Sequence, residues 1–301
     1  MRILLATDGS SSARTAVDLV TGIDWPAGST IRVVEVIETG AALFGGPWPA
    51  VAMFQADRIE AALREAAREP VEKARAQLSR PGLDVNAAVL RGRPASAIVD
   101  AAKNVRADLI VMGSRGHGTI ESMLLGSVSA EVIDHASIPV LVARNPTIER
   151  VVLAWDGSDC ARAAAGLLRN WPIFARSSVR VVSVADVEVP WWTGFPEAAS
   201  PETVPMYLEA AEASRRVHDT LAKEMSDELR AVGLNAVPER REGDAATEVI
   251  AAAQATNADL IVIGTHGRTG LSRLVLGSVA RNVLHHATCS VLIAREPIER
   301  S

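Results

Sequence analysis

The 301-residue sequence predicts an α/β fold built as two tandem doubly wound domains, each a five-stranded parallel sheet with helices on both faces. Three observations predict it. The chain repeats itself, short near-continuous apolar runs alternate with amphipathic stretches, and glycines cluster after the same run in each copy. Arg2–Ser10 (RILLATDGS) returns as Arg150–Ser158 (RVVLAWDGS), 148 positions further on. Ala107–Gly113 (ADLIVMG) returns as Ala258–Gly264 (ADLIVIG), and Leu125–Val128 (LGSV) as Leu276–Val279, both 151 positions on, so a net insertion of three residues separates these landmarks. Arg144–Arg150 is echoed by the terminal Arg295–Arg300, which puts the boundary near residue 146 and the domains at 1–146 and 147–301.

The elements follow in order. Ile3–Ala6, Ile31–Ile37, Val85–Leu90, Leu109–Met112 and Val140–Ala143 are β-branched, apolar and short, and read as strands. Val151–Ala154, Val179–Ala185, Ala236–Arg240, Leu260–Ile263 and Val291–Ala294 repeat them. Between the first five lie Ser12–Val20, Asp57–Leu78, Ala95–Lys103 and Ser127–His135, whose apolar residues recur at three- and four-residue intervals as in amphipathic helices. Strands apolar on both sides, alternating with helices, imply a parallel sheet covered on both faces, and right-handed crossovers make a doubly wound order the economical one. Ligands then bind beyond the carboxyl ends of the strands.

Composition excludes several classes. With 31 Lys+Arg against 36 Asp+Glu the net charge is −5, and no basic run offers the field that holds nucleic acid. No apolar run approaches the roughly 18–20 residues that span a bilayer, and Met1–Gly9 lacks a secretory signal's apolar stretch, so no membrane insertion and a cytoplasmic location are expected. Cys160 and Cys289 stand alone, without CxxC or metal-ligand spacing, and read as two small buried hydrophobes. The six His residues form no ligand pattern and are expected at surfaces and helix ends, with His117 and His266 at non-equivalent places in the glycine loops. Neither GxxxxGK[ST] nor GxSxG occurs, which argues against a Walker-type ATPase and a serine hydrolase.

The glycines carry the chemistry. After the fourth strand stand Gly113-Ser114-Arg115-Gly116, nine residues, then Gly126-Ser127-Val128 opening a helix. The second copy keeps the spacing with Gly264-Thr265-His266-Gly267, nine residues, then Gly277-Ser278-Val279. Glycine admits a ligand close to the backbone, and amides at a helix N-terminus attract anions, so the pattern suits a polyphosphate. Ser127 and Ser278 add a hydroxyl at the first turn, with Arg115 or His266 near the charges. Asp8 and Asp156 end the first strand of each copy, where an Asp-Gly-Ser sequence serves as a helix N-cap or aims a carboxylate at a ribose or base edge. Gly92 and Gly243 follow the third strand and either let the chain pass close to the phosphates or make simple turns.

Gly-x-x-Gly, nine residues, Gly-Ser, after a strand of the Asp-Leu-Ile-Val type and with an early Thr-Asp-Gly-Ser, resembles the universal stress protein family in its tandem form, over nearly the whole chain. The ATP-binding members of that family carry this pattern. The resemblance implies that Asp8 and, through its backbone, Val36 contact adenosine, with Gly113, Gly116, Gly126, Ser127 and Val128 around ribose and phosphates. Asp156, Val184, Gly264, Gly267, Gly277, Ser278 and Val279 match them in the second copy, and Ala6, Met112, Ala154 and Ile263 complete the two sets. Ala6 stands where many members carry proline, and Trp155 replaces Thr7, so the two purine pockets differ. The implied cofactors are ATP and Mg²⁺, the latter held by phosphates and water. The implied role is a nucleotide-dependent stress sensor or regulator with at most slow hydrolysis, since no residue stands out as a general base. The alternatives are an adenine-nucleotide hydrolysing or adenylating enzyme, and an interaction module with vestigial sites.

Two further expectations concern assembly. In related proteins the last strand forms the contact between domains, so Val140–Ala143 and Val291–Ala294 are expected to pair, with a homodimer and an unknown protein partner beyond that. Gly40–Phe54 and Val189–Tyr207 hold 7 of the 11 aromatic residues and are expected to be loops that cover the sheet end, a subunit contact or the nucleotide.

Overall fold

A computed structural model describes residues 1–38, 49–116, 125–185, 203–267 and 276–295. The first half runs β1 (Arg2–Ala6), α1 (Ser11–Gly22), β2 (Ser29–Ile37), α2 (Pro49–Leu78), β3 (Leu83–Arg91), α3 (Pro94–Asn104), β4 (Leu109–Gly113), α4 (Ser127–His135) and β5 (Val140–Ala143). The second half repeats the order as β6 (Arg150–Ala154), α5 (Asp159–Asn170), β7 (Ser178–Ala185), α6 (Thr203–Ala231), β8 (Asn235–Glu242), α7 (Ala245–Ala255), β9 (Leu260–Gly264), α8 (Ser278–His286) and β10 (Ser290–Ala294). A short 3-10 turn, Pro172–Phe174, follows α5.

The strands align as β3-β2-β1-β4-β5-β10-β9-β6-β7-β8 in one ten-stranded sheet. Each half is parallel throughout, and the halves meet where β5 runs antiparallel to β10. The expected pairing of the last strands is therefore made within the chain, and it fuses two five-stranded sheets into one. Along each strand, side chains alternate between two cores. Ile3, Leu5, Leu109 and Val111 join α1 and α2, while Leu4, Ala6, Ile110 and Met112 join α3 and α4. This is why parallel strands read as unbroken apolar runs: both sides are buried. The motif aspartates have a structural task as well. Asp108 Oδ2 accepts the backbone N–H of Arg2 at 2.8 Å and Asp259 Oδ2 that of Arg150 at 2.9 Å, pinning the fourth strand of each half to the start of the first.

The joint is nearly two-fold symmetric. Leu141 lies opposite Leu292, its own equivalent 151 positions on, so the pseudo-axis passes between them. Arg144 donates from Nη2 to Leu284 O at the end of α8 (2.6 Å) and from Nη1 to Cys289 O (3.2 Å). Arg295, its repeat equivalent, donates from Nη2 to Ile133 O at the end of α4. Each half thus lends a guanidinium to the carbonyl end of a helix in the other, where positive charge is favoured. Burial pushes the Arg144 guanidinium down to about 10 despite the nearby Cys289 thiol.

Two sequence expectations change. Helix α2 begins at Pro49, eight residues before the expected Asp57, so Phe54 is helical and not in a loop, and α6 begins at Thr203, so Tyr207 is helical as well. Pro at the first helical position and the Ala- and Met-containing run behind it favour helix over the loop that the aromatics suggested. The remaining aromatic-loop residues, 40–48 and 189–202, lie outside the described residues. The outer edges, β3 and β8, are half polar, and Pro238 in β8 withholds one edge N–H, which blunts further pairing.

Leu141 and Leu292 are 2% and 1% exposed. Leu141→Ala or Leu292→Ala is expected to cost about 2–5 kcal/mol in urea unfolding, and the double variant to cost less than the sum, because the two side chains face each other across the joint.

Candidate functional site

In each half the order 3-2-1-4-5, or its equivalent, reverses direction between the first and fourth strands, so a crevice opens beyond the carboxyl ends of β1 and β4, and of β6 and β9. Because the halves are antiparallel, the two crevices open on opposite rims of the sheet. Gly9 and Gly157, with φ of +75° and +80°, turn the chain sharply out of β1 and β6. Ser10 and Ser158, and not the aspartates, are the helix N-caps: their hydroxyls accept the N–H groups of Ala13 and Ala161, each at 3.2 Å. Asp8 and Asp156 instead accept the N–H groups of Ser10 and Ser158 through Oδ1, each at 3.0 Å. Asx turns of this kind fix one carboxylate oxygen and direct the other elsewhere.

That other oxygen meets the glycine loop. A Cβ on Gly116 would lie 2.6 Å from Asp8 Oδ2, and one on Gly267 2.8 Å from Asp156 Oδ2, so each loop needs glycine for the carboxylate to reach it. Gly113 and Gly264 answer to a different constraint. A Cβ there would come within 2.6 Å of backbone atoms of Ser12 or Cys160, so these positions are bare because α1 and α5 press against the sheet. The capping serines tie the loop down as well: Ser10 Oγ donates to Arg115 O at 3.3 Å and Ser158 Oγ to His266 O at 3.4 Å. In the first half Ser12 Oγ accepts Arg115 N–H at 3.1 Å and pairs with Ser114 Oγ at 3.1 Å.

Helices α4 and α8 start alike. Gly126 and Gly277 are their N-caps, with no side chain capping either helix, and their own N–H groups go to Ser114 O (2.7 Å) and Thr265 O (2.8 Å). Ser127 and Ser278 at the first helical position are exposed, with Val128 and Val279 half-buried beside them. Ala6, Met112 and Val36 belong to the core on the α3/α4 side, as Ala154, Ile263 and Val184 do on the α7/α8 side. They form an apolar floor on the side of the sheet from which α4 and α8 rise. Gly92 and Gly243 have φ of +133° and +127°, a conformation closed to other residues, where the third strand leaves the sheet. Their N–H groups donate to Ile37 O and Ala185 O, each at 3.2 Å, so they serve as bends next to β2 and β7. Arg115 and His266 are half-buried in the loops; His117 lies outside the described residues.

Trp155 lies on the other side of the sheet from Ala154, Val184 and Ile263. It is 5% exposed and belongs to the opposite core, with Arg162 over its ring at 5.9 Å from the centroid. His218 departs from the expected surface role: it is 8% exposed on α6 and its Nδ1 lies 2.9 Å from Ser183 Oγ on β7. Among the described residues no cluster of His, Cys, Asp or Glu could hold a metal ion, and no helix is long and apolar enough to cross a membrane. Sequence reasoning missed Glu35, a carboxyl inside the apolar β2 run RVVEVI. Burial, and then the Asp8 carboxylate, push it up to about 7.

Set against known proteins, the family model of the universal stress protein family matches residues 1–144 and again 147–295. A universal stress protein of Methanocaldococcus jannaschii is 36% identical over 151 residues, 50% of this chain and 83% of its own length. One of Mycobacterium tuberculosis is 27% identical over 324 residues, spanning 98% of this chain and 95% of its own. The crystal structure of a universal stress protein from Archaeoglobus fulgidus DSM 4304 shares the fold, with a TM-score of 0.64 at 19% identity and 98% of each chain covered. The chain belongs to the universal stress protein family and carries two tandem copies of its domain.

A carboxyl whose folded-state pKa is raised is destabilising above that pKa and harmless below its unfolded value. Glu35→Gln is therefore expected to raise the melting temperature at pH 8 and to leave it unchanged near pH 4.5, a difference that paired thermal melts read directly.

Proposed function

We propose that each crevice binds an adenine nucleotide, ATP foremost, with Mg²⁺ carried on its phosphates, and that the chain acts as a nucleotide-dependent regulator with no catalytic residue of its own. One observation carries this reading: α4 and α8 begin at glycine N-caps without a side-chain acceptor and beside a glycine loop, whereas α1, α5 and α7 are capped by Ser10, Ser158 and Asp244, and α3, which also lacks a side-chain cap, starts at Arg93-Pro94 without such a loop. Orphan amides at the positive end of a helix dipole, beside a loop kept bare at Gly116 or Gly267, fit a phosphate chain. The residues that would hold it are Gly126, Ser127 and Val128, and Gly277, Ser278 and Val279, with Arg115 or His266 near the charged groups. Asp8 or Asp156 would take the ribose, and the floor of Ala6, Val36 and Met112, or Ala154, Val184 and Ile263, the base. The nucleotide supplies charge and a hydrolysable bond; the protein supplies amides, an apolar floor and, among the described residues, no group placed to activate water.

We also take residues 1–146 and 147–301 as the two nucleotide-binding domains. The β5 and β10 edges, the natural surface for joining two single-domain copies, are spent inside the chain, so a homodimer would use another face.

Ser127→Glu with Ser278→Glu places carboxylates at the two helix starts. It is expected to leave thermal stability unchanged or slightly higher, since acids there gain about 0.3–1 kcal/mol, and to weaken ATP binding at least about tenfold in calorimetry. Unaltered ATP affinity in that variant, or no heat from the natural chain with any adenine nucleotide, would overturn the reading.

A further inference from the structure

The α1/α2 side of the first half holds a cavity of about 680 Å³ that none of the residues assigned to the phosphates lines, and that Asp8 and Val36, assigned to ribose and base, border. Its floor is the end of β1 and β2, and its walls are α1 and α2. Val17, Leu63, Ala67, Pro70 and Ala74 make it apolar, and Glu35 reaches it from the sheet. Among the described residues, Glu35 Oε2 is buried without a hydrogen-bond partner, although a buried carboxylate oxygen ordinarily has a donor. The size lies within the range of sites for small organic ligands, roughly 300–1,000 Å³.

The second half closes the same space. Thr7 is replaced by Trp155, Ala67 by His218 and Ala74 by Met225, counting 148 positions on for the strand and 151 for the helix. All three replacements are larger and buried, at 5%, 8% and 3% exposed. Glu35 becomes Ser183, whose hydroxyl has His218 as its partner. One copy of the repeat therefore fills the volume and satisfies its polar group, and the other keeps the volume together with an unsatisfied carboxyl.

We propose that this cavity is a second small-molecule site, specific to the first half, for an organic amine with an apolar body whose ammonium donates to Glu35. The charges facing Glu35 favour a cation. Asp8 and Glu38 come from the sheet, Arg14 and Asp18 from α1, and Glu69 and Lys73 from α2, so acids outnumber bases. Arg14 is already committed to Gly9 O at 2.7 Å, and Asp18 to Gln77 Nε2 at 2.7 Å. An anion would meet the carboxylate, a body without a donor would leave its Oε2 unsatisfied, and a neutral donor would give a weaker bond than a cation. The Asp18–Gln77 contact joins α1 to α2, and Pro70, packed 3.1 Å from where a Cβ on Gly9 would lie, removes one helical N–H beside the cavity. Both features hold the walls where they stand. The ammonium binds the ionised carboxyl, so the amine displaces a proton from Glu35 whenever the pH lies below about 7.

Titrating the full chain with 2-phenylethylamine in a calorimeter tests the site. One amine should bind per chain at pH 8, with 2-phenylethanol at least about tenfold weaker. The amine stays protonated across this range, so affinity should fall roughly thirtyfold by pH 5.5, following Glu35 alone. Glu35→Gln should lose at least about tenfold and flatten the pH profile. Ala67→His with Ala74→Met, the residues of the second half, should abolish amine binding and leave ATP binding as it was. If that double variant does not fold, Glu35→Gln decides, since it removes the charge at nearly constant volume. No heat with the amine up to about 10 mM, two amines per chain, equal binding of the alcohol, or unchanged binding in Glu35→Gln would each overturn the proposal. The cavity touches the nucleotide crevice at Asp8 and Val36 and shares none of its phosphate residues, so absent amine binding with ATP still bound overturns this proposal alone, and absent ATP binding with the amine still bound overturns only the nucleotide reading.

Discussion

The antiparallel ladder between β5 and β10 is the contact on which the rest of the molecule depends. Two doubly wound units of this size would each bury a core alone, but each would leave a strand edge open at its end. Pairing those edges makes both cores continuous through the joint: Leu141 and Leu292 lie in one, and Val140, Val142, Val291 and Ile293 in the other. The crossed arginines, Arg144 on α8 and Arg295 on α4, fasten helices to the opposite half. Those are the two helices whose other ends face the crevices. A single construction therefore sets both the relation of the halves and the rigidity of the two helix starts.

Much of this was legible in the residues. All ten strands fall within about two residues of their expected spans, and α4 coincides with its own; burial on both faces writes the eight inner strands as apolar runs, while the half-polar edges β3 and β8 were placed by their position in the repeat. The pairing of the last strands was legible from the repeat and from what the family resemblance implied. The start of α2 was not, since aromatic content pointed to a loop while the helix-forming residues between the aromatics decided the backbone. His218 was not either, because a histidine on a charged helix gives no hint that its face turns inward toward Ser183.

The candidate site divides in the same way. Glycine spacing marked two equivalent loops, but it could not separate glycines kept bare by a helix backbone from glycines kept bare by a carboxylate. Gly113 and Gly264 are bare because a helix backbone lies against them, and Gly116 and Gly267 because a carboxylate does. The Asp-Gly-Ser sequence held two possible caps, and only the geometry shows serine capping the helix while aspartate turns to the loop. Glu35 carried a signal that went unread: a charge inside a strand that is otherwise apolar, at a position where the other copy has a serine.

The opposed direction of the two crevices has a mechanical consequence. A body seated on one rim of the sheet leaves the other rim uncovered, so nothing compact can touch both crevices at once. Any influence of one crevice on the other has to travel through the shared β-sheet between them.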